Sequence, residues 1–315
     1  MGFETLLGND RLKQNLISSL AQGRISHFYL ISGPEGSGKH TLARLLAAAI
    51  MCQKDEKPCM TCHACRKVME NNHPDFITVD DPEHKSVAVK IVRQAREDVY
   101  IRPNESDYKI YLFPQELGIE GQNALLKILE EPPRYGVFIL LTANAEQLLP
   151  TVRSRCTELA LTALPEETLV RELAKEFPEA SRETLVAAAA RSSGYLGQAR
   201  TLLEQEDAIP PQTEEFLTAL ANKNALALSK TLLSMEKWKR DQLIPILGNW
   251  IALLEEALAS RSGMRCLHPM TQVLASRRSS RELMHTVSCL QKAVDYAQSN
   301  VSVAAICGWL SWQLR

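Results

Sequence analysis

The sequence predicts an α/β plus α protein, with a nucleotide-binding α/β domain first and helices alone afterwards. Three observations predict it. The apolar run "HFYLISG" (27–33) enters a glycine-rich loop and then the strong helical stretch "TLARLLAAAIM" (41–51). Strand, glycine loop and helix in succession open an α/β nucleotide-binding domain. Further strands are predicted at "DFITVD" (75–80), "KIYLF" (109–113) and "GVFILLTA" (136–143), with helical patterns at 87–100 and 119–131 between them. From about residue 164 onward no convincing strand follows, only helical periodicity.

In order along the chain, residues 10–22 space Leu12, Leu16, Ile17 and Leu20 on one helical face, and Gly23 can end that helix. The helix at 119–131 is stopped by Pro132 and Pro133. The polar stretch "EQEDAIPPQTEE" (204–215) contains a proline pair and breaks the helical pattern, so it is the expected domain boundary. Beyond it, residues 214–315 read as amphipathic helices with Trp238, Trp250, Trp309 and Trp312 among the apolar positions. At 315 residues the chain exceeds one ordinary core. A net charge of −1 argues against binding nucleic acid or membrane by overall charge. No run approaches the roughly 20 apolar residues of a membrane span, and "MGFETLLGND" lacks a signal peptide's basic start and apolar core. A cytoplasmic location is the expectation.

"GPEGSGKHT" fits G-x-x-x-x-G-K through Gly33, Gly38 and Lys39, with Gly36 and Ser37 inside the loop. Such glycines let backbone N–H groups curl around phosphate oxygens, the following helix adds its positive end, and the lysine supplies a point charge. The position after Lys39, where Ser or Thr should hold magnesium, is His40. Thr41 cannot simply substitute, because one helical step turns a side chain by about 100°. The strand 109–113 should deliver an Asp to magnesium and a Glu to the attacking water. Pro114 and Gln115 stand there instead, and Glu116 points to the other face unless the strand end is bulged. The cradle for ATP or ADP is retained; efficient hydrolysis is not expected.

Of eight cysteines, Cys52, Cys59, Cys62 and Cys65 crowd into "CQKDEKPCMTCHAC". Closely spaced thiolates in a tight loop supply zinc's tetrahedron, and four of them close the shell, which makes the site structural. His63 and His73 are possible substitutes, and a redox C-x-x-C or coincidental free thiols are the competing readings. Cys156, Cys266, Cys289 and Cys307 read as small buried residues.

Together these residues resemble the bacterial DNA polymerase III clamp-loader family, AAA+ proteins with a zinc module inserted after the phosphate-loop helix. The matching stretches are "GRISHFYLISGPEGSGK", the four cysteines, "HPDF" (73–76), "NALLKILEEPP" (123–133) and "LLPTVRSRC" (148–156); the C-terminal helices match loosely, through "SNVSVAAICGWLSWQL" (299–314). The resemblance implies an AAA+ P-loop domain at 1–162 with its zinc module at 52–65, a helical lid at 163–206, and a helical collar for oligomerisation at 207–315. In that family, ATP-hydrolysing subunits keep the loop Ser/Thr, the acid pair and a lid arginine that senses the γ-phosphate. Here "SSGYLGQAR" (192–200) puts Gly197 at that arginine's place, with Arg200 three residues on. The segment between the 109–113 strand and "NALLK" is also shorter than the family's usual loop. These departures are similar to the delta-prime type, which shares the motor subunits' fold without being a motor.

The resemblance further implies that Arg155, in Ser154-Arg155-Cys156, reaches the γ-phosphate of ATP held by a neighbouring subunit, with Arg153 a second candidate. Thr142 and Asn144 resemble the polar sensor position. The expected function is a scaffold subunit of the sliding-clamp loader in DNA replication, acting in trans. Its expected partners are motor and delta-like subunits, and through them the sliding clamp and primer-template DNA. The alternatives are an active motor ATPase of the same loader and a zinc-dependent nucleic-acid-binding module.

Overall fold

Strands form where the apolar runs lie. In the computed structural model, which describes residues 2–84, 86–206, 210–262, 269–299 and 301–314, five strands make one parallel sheet. They are β1 (Phe28–Ser32), β2 (Phe76–Thr78), β3 (Lys109–Phe113), β4 (Gly136–Thr142) and β5 (Thr157–Ala160), in the order β2-β3-β4-β1-β5. β1, β3 and β4 are buried along their whole length, as a parallel sheet covered on both faces requires. The sequence gives no warning of β5. It is an edge strand in which only Leu159 is buried, so it carries no apolar run.

Side chains alternate between two cores. Tyr29, Ile31, Ile110, Leu112 and Ile139 face α1 (Asp10–Ala21), α2 (Lys39–Met51) and α3 (His63–Met69), the last of which lies inside the cysteine module and was not predicted. Phe28, Leu30, Tyr111, Phe113 and Phe138 face α4 (Val89–Asp98), α5 (Ile119–Glu130) and α6 (Pro150–Arg153). Phe138 stacks on Phe28 at 4.6 Å and on Tyr111 at 5.2 Å between ring centroids. α2 is buried at Leu42, Ala43 and from Leu45 to Met51, and its Ala47–Ala49 run combines high helix propensity with close packing. Helices α7 (Glu166–Glu176), α8 (Arg182–Arg191) and α9 (Leu196–Glu206) follow, α7 packed on α8.

The chain divides into two compact units between Thr201 and Leu202, within α9. The second unit holds α10 (Pro211–Ala221), α11 (Ala225–Ser234), α12 (Arg240–Arg261), α13 (Pro269–Arg277), α14 (Ser280–Gln298) and α15 (Val303–Gln313). Its core centres on Trp250, stacked on Phe216 at 3.8 Å, with Nε1 donating to Thr213 Oγ1 at 2.9 Å. α12 has the length and hydropathy of a membrane span, against the sequence expectation, but Leu243, Leu247, Trp250 and Leu254 pack into this core. Trp238 and Trp309 are partly buried against it, whereas Trp312 is 67% exposed and belongs to the surface.

Candidate functional site

Ligands of open α/β sheets bind beyond the carboxyl ends of the strands, and β1 ends there in the glycine loop. Gly36 and Gly38 take positive φ values of 75° and 94°, and Gly38 directly precedes α2. The first N–H groups of a helix have no intrahelical acceptors and suit a bound anion. Lys39 Nζ turns back on the loop, donating to Gly33 O at 2.6 Å and Pro34 O at 2.8 Å. Burial pushes its ammonium below the ordinary range, Glu35 and Glu116 pulling the other way. The Ser37 hydroxyl is buried without a hydrogen-bond partner among the described residues. His40 is held below its usual range, first by burial and then by the charges of Lys39 and Arg44. Gly36, Ser37, Gly38, Lys39, His40 and Thr41 line a cleft of 660 Å³, a size suited to a nucleotide. Glu4, Glu35, Glu176 and Arg200 also line it.

The positions where acids were expected serve the fold. Gln115 Oε1 accepts from Asp81 N at 2.7 Å, and its Nε2 donates to Asp81 O at 3.0 Å and His84 O at 3.1 Å. The side chain therefore ties down the loop after β2. Glu116 accepts from Thr142 Oγ1 at 3.4 Å and Ala143 N at 3.3 Å, which joins it to the end of β4. Thr142 Oγ1 also donates to Asn144 O at 3.0 Å, and Asn144 Oδ1 caps the short turn beginning at Ala145.

The segment around Gly197 lies directly on the phosphate loop. Gly197 N–H donates to Gly36 O at 3.0 Å, and Gln198 Nε2 donates to Glu35 O at 3.0 Å. A Cβ at Gly197 would stand 2.5 Å from Gly36 Cα, and one at Gly36 would stand 2.5 Å from Gln198 N. Only two glycines permit this backbone approach. Arg200 is paired with Glu176, its Nε 2.6 Å from Oε2.

Cys52, Cys59, Cys62 and Cys65 converge, with their four sulfurs within 4.8 Å of one another. The Cys59–Cys65 and Cys52–Cys62 sulfurs are 4.0 Å apart, near the about 3.8 Å edge of a tetrahedron with Zn–S bonds of about 2.3 Å. The donor set fits zinc and could hold it. Backbone N–H groups of Cys62 and Cys65 donate to the Cys59 and Cys62 sulfurs. Against the desolvation that raises it, hydrogen bonds from Thr61 and Cys62 bring the Cys59 thiol down to about 5, toward the thiolate a metal needs. His63 and His73 stand outside the cluster; His73 Nδ1 accepts from Asp75 N. Cys289 and Cys307 are buried and Cys156 is half-buried, while Cys266 lies outside the described residues.

Arg155 precedes β5, and the phosphate loop follows β1. Because the two strands are parallel neighbours, Arg155 sits at the opposite end of the sheet from its own chain's cradle, on the order of 15 Å away. Its Nη1 donates to Thr151 O at 2.9 Å and its Nη2 to Glu130 Oε1 at 3.3 Å. Arg153 Nε pairs with Glu158 at 3.3 Å.

Sequence reasoning missed the work of Asp75 in "HPDF". Its buried carboxylate accepts from the N–H groups of Asn104, Glu105 and Ser106 and from Asn104 Nδ2, which fixes the turn before β3. Burial alone would raise its pKa, but these bonds hold it below the usual range. The Gly36–Gly197 contact and the Glu130 partner of Arg155 were also missed. Each joins residues far apart in sequence, with no local signal to find them.

Comparison with known proteins places these features in context. The protein family described as "DNA polymerase III, delta subunit" matches residues 8–165. The gamma subunit of DNA polymerase III from Buchnera aphidicola (subsp. Schizaphis graminum) is 31% identical over 251 residues, 75% of this chain and 69% of that protein. The tau subunit from Bacillus subtilis is 32% identical over 214 residues, covering 64% of this chain and 37% of the relative. That from Escherichia coli is 34% identical over 175 residues, 54% of this chain and 27% of the relative. The chain thus spans well under half the length of the tau relatives it matches. A solved gamma-subunit-related protein from Thermotoga maritima aligns over 95% of this chain and 100% of its own, at 19% identity and a TM-score of 0.44.

Proposed function

The chain belongs to the DNA polymerase III clamp-loader family of AAA+ proteins, and from that premise we propose that it is a non-motor, delta-prime-type subunit of the sliding-clamp loader. In this reading it scaffolds the complex in the cytoplasm and donates Arg155 to ATP bound by a neighbouring subunit. The observation that carries the reading is Gln115. Magnesium and the attacking water need an acid pair at the end of β3, but Pro114 has no ligand to offer there, and Gln115, in the place of the water-orienting glutamate, has both ends of its amide hydrogen-bonded into the 81–84 loop. His40 supplies no hydroxyl, and Gly197 supplies no cation. The cradle's N–H groups and cleft fit a nucleotide's phosphates, but the metal site needed for hydrolysis is not built. The four cysteines hold zinc as a structural clip.

Arg155 supports the second half of the proposal. It is exposed, lies at the end of the sheet away from its own cradle, and carries the always-charged planar fork suited to phosphoryl oxygens. A partner's nucleotide is what such a group can serve. The domain reading follows: P-loop domain 1–162, lid 163–206 and collar 207–315, the collar binding motor and delta-like subunits, and the sliding clamp and primer-template DNA engaged through the assembly.

The second reading, a motor ATPase, is favoured by one finding: the curated relatives above are gamma and tau subunits. A magnesium-dependent ATPase assay on the purified chain separates the two. Turnover no faster than that of Lys39→Ala is expected; robust turnover lost in Lys39→Ala would establish the motor.

A further inference from the structure

We infer that Glu130 is the positioning residue for Arg155, an inference that rests on the role in trans proposed above. Glu130 ends α5, and Arg155 lies in the turn between α6 and β5. A carboxylate at a helix C-terminus faces the negative end of the helix dipole and gains from a nearby cation. Arg155 is that cation, and it is pinned twice, to Glu130 Oε1 from one element and to Thr151 O from another.

Both side chains stay open to solvent, 40% for Arg155 and 59% for Glu130. A pair so exposed contributes little to stability, so its effect lies elsewhere. A free arginine samples many rotamers, and holding it for catalysis costs that freedom. Two acceptors on separate elements restrict that freedom before any partner arrives. The guanidinium's remaining N–H groups stay available, so it can meet phosphoryl oxygens without leaving Glu130. Arg153 is differently placed, because its partner Glu158 belongs to β5 itself.

The test uses the assembled loader, with equal assembly confirmed by size, and compares Glu130→Ala and Glu130→Gln in the wild-type and Arg155→Ala backgrounds. Glu130→Ala should lower kcat at the ATP site facing this subunit by about threefold to tenfold with KM for ATP unchanged. Glu130→Gln should keep most of the rate, since its amide oxygen still accepts. In the Arg155→Ala background Glu130→Ala should change nothing further. An unchanged kcat, or an equal loss in both backgrounds, overturns the role of Glu130 while leaving that of Arg155 intact. If Arg155→Ala is itself without effect, the role in trans fails, and that of Glu130 with it.

Discussion

A glutamine in place of a glutamate discards the charge and gains two N–H donors, and at position 115 both gains and losses matter. Without the charge no carboxylate stands there to orient an attacking water, and with Pro114 beside it no metal ligand does either; the donors anchor Asp81 and His84. Gln115→Glu should therefore fail to restore hydrolysis and should destabilise the protein by about 1–3 kcal/mol in urea denaturation, since two carbonyls lose their donor. Asp75 gives a prediction in pH. Its folded pKa lies below its unfolded value, so its contribution is complete above about pH 3.9, the unfolded value. That contribution is lost as pH falls through the lower folded value. Thermal scans should show wild type losing more stability below about pH 4 than Asp75→Asn, which should be less stable than wild type at neutral pH. Arg155→Ala should leave the thermal midpoint nearly unchanged while slowing hydrolysis in the assembled loader by up to about 10³-fold, and Arg155→Lys should rescue poorly.

At the scale of elements, α2 joins the two motifs most legible in the sequence. The phosphate loop starts it, and Cys52 caps its end. A zinc ion held by the cysteine cluster would therefore fix the C-terminal end of the helix whose N-terminal end forms the cradle. Chelating the metal, or Cys59→Ser, should raise hydrogen exchange across 48–69 and lower the thermal midpoint without altering the ATPase background; unchanged exchange on chelation would remove the metal's structural role. Both motifs are readable because close spacing in sequence encodes close spacing in space. β1, β3 and β4 are readable because burial on both faces demands unbroken apolar runs. β5 is not, since Thr157, Glu158 and Ala160 face solvent. Nor are the Gln115, Gly197 and Glu130 contacts, in which one common residue type meets another across tens to more than a hundred positions.

For the whole molecule, the division within α9 separates a unit whose motifs concern nucleotide from one that carries none. In the second unit, Trp312 on α15 and Leu226 on α11 are 67% and 82% exposed, although both helices pack together within the unit. If this unit is the collar, Trp312→Glu should leave the isolated chain's thermal midpoint unchanged within about 0.5 kcal/mol of stability. It should weaken co-elution with motor subunits in size-exclusion chromatography. Normal assembly would move the contact surface elsewhere.

The meeting of Gly36 and Gly197 limits what the chain can become. An arginine placed at position 197 would meet the backbone of position 36 at 2.5 Å with the first carbon added. Gly197→Arg therefore cannot act as a reversion. It would push the 192–200 segment off the phosphate loop before its guanidinium reached any phosphate, and the loop ligand and strand acids would still be absent. The constraint is set by the 2.5 Å between a carbon added at position 197 and the α-carbon of Gly36.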